Sequence, residues 1–316
     1  MNDRITLRFL AAPGDATADG SSVQAGRVLE WIDKAGYACA VGWSGAYCVT
    51  AYVGNVHFTQ PISVGSLIEA QARIIHTGRS SMHVLVRVSQ TDPRGGITAE
   101  NTGRLATHCL LIFVAVDEQK KPRAIPSWSP DSPEDRTLAT GATARIEARR
   151  AIHEVMRAQQ YTTRGTGPRI VFRFLAAPND VNWGGNAHGG IVMRWIDEAA
   201  NAVAMRWSGQ DAVAVYSGGI HFYRPVRIGH LVEVEARLIH TGSRSMHLAI
   251  HVRSGDPRTG ELELTTQCMS VFVVRGSDGS AEPIPPMTIV SEEDARLDGH
   301  ARDLITMRAA LPLLPV

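Results

Sequence analysis

The hexapeptide RFLAAP stands at 8–13 and again at 173–178, and it opens a repeat that runs the length of the chain. WID at 31–33 returns at 195–197, WSG at 43–45 at 207–209, and IHTG at 75–78 at 239–242. SMH at 81–83 returns at 245–247 and DPR at 92–94 at 256–258. Cys109 with Phe113 and Val114 matches Cys268 with Phe272 and Val273. The offset is 165 residues at the start, 164 through the middle and 159 at the end. The first copy therefore carries one extra residue near 14–24 and five near 95–105. Length changes confined to loops are what a duplication leaves, because loops tolerate insertion. Two long units are too few for a solenoid, so the 316 residues are expected to form two similar domains packed like the halves of a homodimer.

Each copy reads the same way. A short strand (Leu7–Ala11; Val171–Ala176) enters a loop rich in Gly, Asp and Asn, and a helix follows near 25–42 and 189–206. In the second helix Ile191, Trp195, Ala199 and Val203 recur every fourth residue, with Val192, Ile196 and Ala200 beside them. A helix apolar over most of its circumference is buried. Strands are then predicted near 47–58, 66–76, 80–90 and 104–116, and again in the second copy, with DPRGG and DPRTG as turns between the last two. This pattern predicts an α+β fold, one helix wrapped by a long antiparallel sheet, in each copy. The expected domains are 1–130, a linker with a charged helix at 131–165, 166–288, and a helical tail at 289–316. Gly141 is expected to interrupt the linker helix.

Composition excludes several classes. Hydrophobic residues make up 44% and charged residues 20%, an ordinary globular balance. A net charge of +1 provides no general field for nucleic acid. No run approaches the roughly 20 apolar residues of a membrane span, and the start, MNDRITLRFL, does not read as a signal peptide. The cysteines, Cys39, Cys48, Cys109 and Cys268, show no metal or CxxC spacing, and the matched pair Cys109 and Cys268 reads as small core residues, which favours a reducing, cytoplasmic location. No metal site, nucleic-acid partner or membrane partner is expected.

The chemistry concentrates in NDVNWGGNAHGGIVMRWIDEAA, where Asn182 and Asn186 precede His188, Gly189 and Gly190, and Asp197 lies nine residues beyond His188. A helix N-terminus offers unpaired N–H groups and partial positive charge, and glycines there let a substrate approach the backbone. A carboxylate can activate water or attack directly. Asp197 sits about 13 Å along its own helix from the HGG turn, at 1.5 Å per residue, too far to serve its own loop easily. In the first copy Gln24-Ala25-Gly26 replaces His-Gly-Gly, Ser22 stands where Asn186 stands, and Asp33 matches Asp197.

The Gly-Asn-x-His-Gly-Gly pattern, its upstream asparagine, the helix aspartate and the twofold HTG-x-x-S stretch resemble the acyl-CoA thioesterases of the hotdog superfamily, especially those with two fused hotdog domains. The resemblance covers both copies. It implies a tandem hotdog and a site in which the loop of one domain meets the helix acid of the other. Carried over, Asn182, Asn186, His188, Gly189 and Gly190 pair with Asp33, and Asp197 belongs to a vestigial site. It implies acyl-CoA as substrate, with coenzyme A part of that substrate and no separate cofactor. The turns Arg79-Ser80-Ser81 and Ser243-Arg244-Ser245 become candidates for the coenzyme A phosphates, against a reading as solvated hairpins. A homo-oligomer of three tandem chains is expected. Two other readings stay open: a non-catalytic acyl-CoA-binding or regulatory protein, and a hydratase acting on enoyl thioesters.

Overall fold

The computed structural model describes residues 2–95, 103–312 and 314. The first copy contains β1 (Arg4–Leu10), α1 (Ala25–Ser44), β2 (Cys48–Val53), β3 (Val56–His57), β4 (Leu67–Thr77), β5 (Ser81–Thr91) and β6 (Arg104–Ala115). After α2 (Pro133–Ala158), the second contains β7 (Arg169–Leu175), α3 (Gly189–Ser208), β8 (Ala212–Phe222), β9 (Leu231–Thr241), β10 (Met246–Gly255) and β11 (Glu263–Val274), followed by α4 (Glu292–Ala309). The five-residue insertion inferred near 95–105 falls mostly outside the described residues.

The strands form one antiparallel sheet in the order β1-β4-β5-β6-β2-β8-β11-β10-β9-β7, with β3 also on β8. The copies join where Tyr52 pairs His221 and Val53 pairs Ile220. Strand alternation assigns the faces. Ile68, Ala70, Ala72 and Ile74 of β4 turn into the main core, as do Val232, Val234, Ala236 and Leu238 of β9. Both central helices lie on that face and touch each other. Each ends on the glycine of its WSG motif, Gly45 at φ 61° and Gly209 at φ 71°, the left-handed cap that glycine adopts without a Cβ clash. The approach of the helices is equally specific. A Cβ on Gly26 would stand 2.9 Å from the Arg194 Cα, and one on Gly190 would stand 2.8 Å from the Glu30 Cα.

The structure corrects two expectations. The strand predicted over 47–58 is broken at Gly54 and Asn55, although the Gly54 N–H still bonds the Leu110 carbonyl of β6. Gly141 does not interrupt α2, which is continuous over 26 residues. A helix-interior glycine costs about 1 kcal/mol, and here Leu138 and Ala142 on either side pack against Ile75, Leu85 and Leu110 on the outer face of the sheet. Further along, Ile152 and Met156 reach Ile239, Ala249 and Met269 in the second copy, beside Leu297 and Leu304 of α4. The two outer helices start alike: Ser132 accepts from the Asp135 N–H and Ser291 from the Asp294 N–H. They stand at the same 159-residue offset as the last strands. Among the described residues no helix is long and apolar enough to cross a membrane.

Candidate active site

The α1–α3 contact brings the N-terminus of each helix to the middle of the other. The Gly190 N–H donates to Asp33 Oδ2 at 2.8 Å, and His188 Nδ1 lies 3.1 Å from the same oxygen. Asp33 is 1% exposed, so its charge requires partners. The third is Thr50, whose hydroxyl donates to Asp33 Oδ1 at 2.8 Å. His188 is the N-cap of α3, and its Nδ1 lies 3.1 Å from Gly190 N as well. Burial alone would lower the His188 pKa, but hydrogen bonding to Asp33 and its charge outweigh that and raise it. The Gly189 N–H, first of the helix, donates to no atom of the described residues. A Cβ at Gly189 would sit 3.0 Å from Asp33 Oδ2 and 3.2 Å from Thr50 Oγ1, so glycine keeps this space open.

A cavity of about 330 Å³ opens on these groups. Asn182 and Asn186 both line it, and both shape the loop. Asn182 Oδ1 accepts the N–H groups of Gly184 (2.8 Å) and Asn186 (3.1 Å), while the Asn186 amide donates to the Gly184 carbonyl at 3.3 Å. Exposed Lys120, Arg224 and Arg227 stand on the cavity rim. Lys120 adopts φ 63°, a left-handed conformation costly for a residue with a Cβ. Its amine donates to the Gly184 carbonyl at 2.9 Å across the domain junction. On the other side of His188 a second, more apolar chamber lies between α1 and the loop, lined by Leu7, Val41, Val181 and Ile191. Trp183, 80% exposed, covers it by stacking on Tyr37 with ring centroids 5.1 Å apart.

The pseudo-symmetric position has the same frame with different groups. Gly26 N–H donates to Asp197 Oδ2 at 2.8 Å, and a cavity of about 430 Å³ opens there. Gln24 stands for His188 and turns its amide back onto the Ala16 carbonyl at 2.7 Å. Ala214 stands for Thr50. Burial pushes the Asp197 carboxyl up to about 7, held back by the Gly26 N–H and aided by the Glu198 charge.

The turns holding Arg79, Ser80, Ser81 and Ser243, Arg244, Ser245 close the β4–β5 and β9–β10 hairpins and line neither cavity. Their closure is local: Gly78 N–H donates to Ser81 O and Gly242 N–H to Ser245 O, each at 2.8 Å. Sequence reasoning missed Thr50, Tyr37 and Lys120. The signal was present in the repeat, since these polar residues face Ala214, Asn201 and Gly279 at matched positions.

Comparison with known proteins agrees with this architecture. The thioesterase superfamily model matches residues 22–97 and 184–261, once in each copy. The human cytosolic acyl coenzyme A thioester hydrolase is 23% identical over 307 residues, covering 92% of this chain and 80% of the human protein. The acyl-CoA thioester hydrolase YciA of Escherichia coli K12 is 31% identical over 124 residues, 39% of this chain and 90% of YciA. A Lactobacillus plantarum protein assigned as an oleoyl thioesterase superposes with a TM-score of 0.59 over 86% of this chain and 96% of its own, at 9% identity, and so shares the fold. With two family segments in tandem, a helix wrapped by sheet in each, and a bacterial relative matched over nearly its whole length, the chain belongs to the hotdog thioesterase superfamily.

Proposed function

We propose that the chain hydrolyses acyl-CoA to free acid and coenzyme A at one composite site, built from the loop of the second copy and Asp33 of the first. The observation that carries this reading is the Asp33 carboxylate held between Thr50 Oγ1 and the Gly190 N–H, beside a free Gly189 N–H. In this reading the Gly189 N–H and the positive end of α3 polarise the thioester carbonyl, which becomes an oxyanion; one such donor is worth about 3 kcal/mol in a transition state. Asp33 takes a proton from the attacking water, and the tetrahedral intermediate collapses with the coenzyme A thiolate as leaving group. The relatives named above as acyl-CoA thioester hydrolases support the substrate class. Lys120, Arg224 and Arg227 are assigned to the coenzyme A phosphates because they stand on the cavity rim, and the apolar chamber under Trp183 to the acyl chain.

Release of free thiol from a panel of acyl-CoA esters tests the proposal; tight binding without thiol release would overturn it. Arg227→Ala is expected to raise KM about tenfold with kcat little changed, since a charge-assisted contact remote from the reacting carbon contributes uniform binding. Thr50→Val keeps the side-chain shape and removes the hydroxyl. It should lower kcat about tenfold, the equivalent of one hydrogen bond to a charged group, and Thr50→Ser should restore most of it. Unchanged kcat in Thr50→Val would remove Thr50 from the site.

A further inference from the structure

The cavity at Asp197 has kept its space while losing its catalytic groups, and what it lost is selective. Thr50 and His188 of the first cavity correspond to Ala214 and Gln24, so among the described residues no hydroxyl donates to Asp197 and no imidazole lines its cavity. The rim cations Lys120, Arg224 and Arg227 correspond to Gly279, Gln60 and Ser63, and Lys34 on α1 corresponds to Glu198. Of the charged groups that remain on the lining, Arg275 and Glu198 oppose each other in sign. Nothing there replaces the three cations that would hold a phosphorylated coenzyme. The apolar walls persist: Val28, Phe58, Ala202, Met205 and Val213 line the space, which at about 430 Å³ exceeds the 330 Å³ of the first cavity.

The polar end of this cavity also persists. Asp197 Oδ2 is held by the Gly26 N–H at 2.8 Å, and among the described residues Oδ1 has no hydrogen-bond partner. The Ala25 N–H, the counterpart of Gly189, donates to no described atom. A free donor and a half-satisfied carboxyl in a cavity with one apolar wall match one chemical class: a carboxylic acid with an aliphatic tail. Its carboxyl accepts the Ala25 N–H and shares one proton with Asp197, while the tail lies along the apolar wall. The Asp197 carboxyl, pushed up to about 7 by burial, is available to supply that proton near neutral pH.

We propose that the second cavity is a non-catalytic binding site for a free aliphatic carboxylic acid, with its head at Asp197 and Ala25 and its tail against Ala202 and Phe58. The identity of this acid as the reaction product rests on the thioesterase reading; the binding itself does not.

The test is calorimetric titration of the full chain with decanoic acid, which requires no turnover. Wild type should bind the acid, and decan-1-ol, which cannot share the proton, should bind at least about tenfold more weakly. Ala202→Trp, which fills the apolar end, should abolish this site, and Asp197→Ala, which removes the group that shares the proton, should weaken it by about tenfold. Urea unfolding of each variant verifies the fold independently of activity. The site persists when coenzyme A is saturating. No binding by wild type, equal binding of the alcohol, isotherms unchanged in both variants, or one-for-one displacement of the acid by coenzyme A would each overturn the proposal. A failed titration leaves hydrolysis at Asp33 untouched, and absent hydrolysis leaves the titration interpretable.

Discussion

Asp33→Ala is expected to lower thioester hydrolysis by about 10³-fold, within the range for a positioned general base, whereas Asp197→Ala leaves kcat/KM within about twofold. The two aspartates occupy matched positions on matched helices and each accepts a glycine N–H from the opposite helix. Their surroundings separate them. Asp33 also has the Thr50 hydroxyl at 2.8 Å and His188 at 3.1 Å, while the matched positions at Asp197 carry Ala214 and Gln24. Steady-state kinetics on one acyl-CoA ester, with coenzyme A release read by a thiol reagent, measures both variants. Equal losses would mean that both cavities turn over, and a loss confined to Asp197→Ala would invert the assignment.

The second large effect concerns stability. Gly26→Ala should destabilise the protein by about 1–3 kcal/mol, the usual cost of overpacking. Its new Cβ would stand 2.9 Å from the Arg194 Cα, which is backbone and cannot rotate away. The helices must separate, and the N–H bond to Asp197 lengthens with them. Gly190→Ala meets the Glu30 Cα at 2.8 Å and should behave alike, with loss of activity in addition because the Gly190 N–H holds Asp33. Gly42→Ala is the control. It lies on the exposed side of α1 with nothing within 4 Å of its added Cβ, and it should be neutral or stabilising by up to about 1 kcal/mol. Urea midpoints compare the three. If Gly26→Ala matches Gly42→Ala, close approach of the helices is not what holds the halves together.

Sequence alone determined the duplication, the buried central helices and the unequal loops. These are local properties: a motif repeated at fixed offset, apolar residues every third or fourth position, and glycines where a helix begins or ends. The hairpin turns at Arg79–Ser81 and Ser243–Ser245 were equally legible as turns, because Gly78 and Gly242 close them within four residues. Nothing local assigns them to a cavity, and neither lines the cavities at Asp33 and Asp197. Gly141 shows the opposite limit: its intrinsic helix-breaking cost is overridden by the packing of Leu138 and Ala142 on the sheet.

Only the tertiary structure decided which groups meet. Asp33 and Gly190 lie 157 residues apart in sequence and 2.8 Å apart in space. That contact exists because two helices cross where each has a glycine, and the join of β2 to β8 makes one sheet of the two copies. Thr50 enters the site from a strand where the sequence marks it only by its mismatch with Ala214, and Lys120 from a turn whose left-handed backbone is invisible until folded. Repetition fixes what each half becomes; the contacts between halves, where matched positions carry different side chains, decide that one cavity holds a fully partnered carboxylate and the other does not.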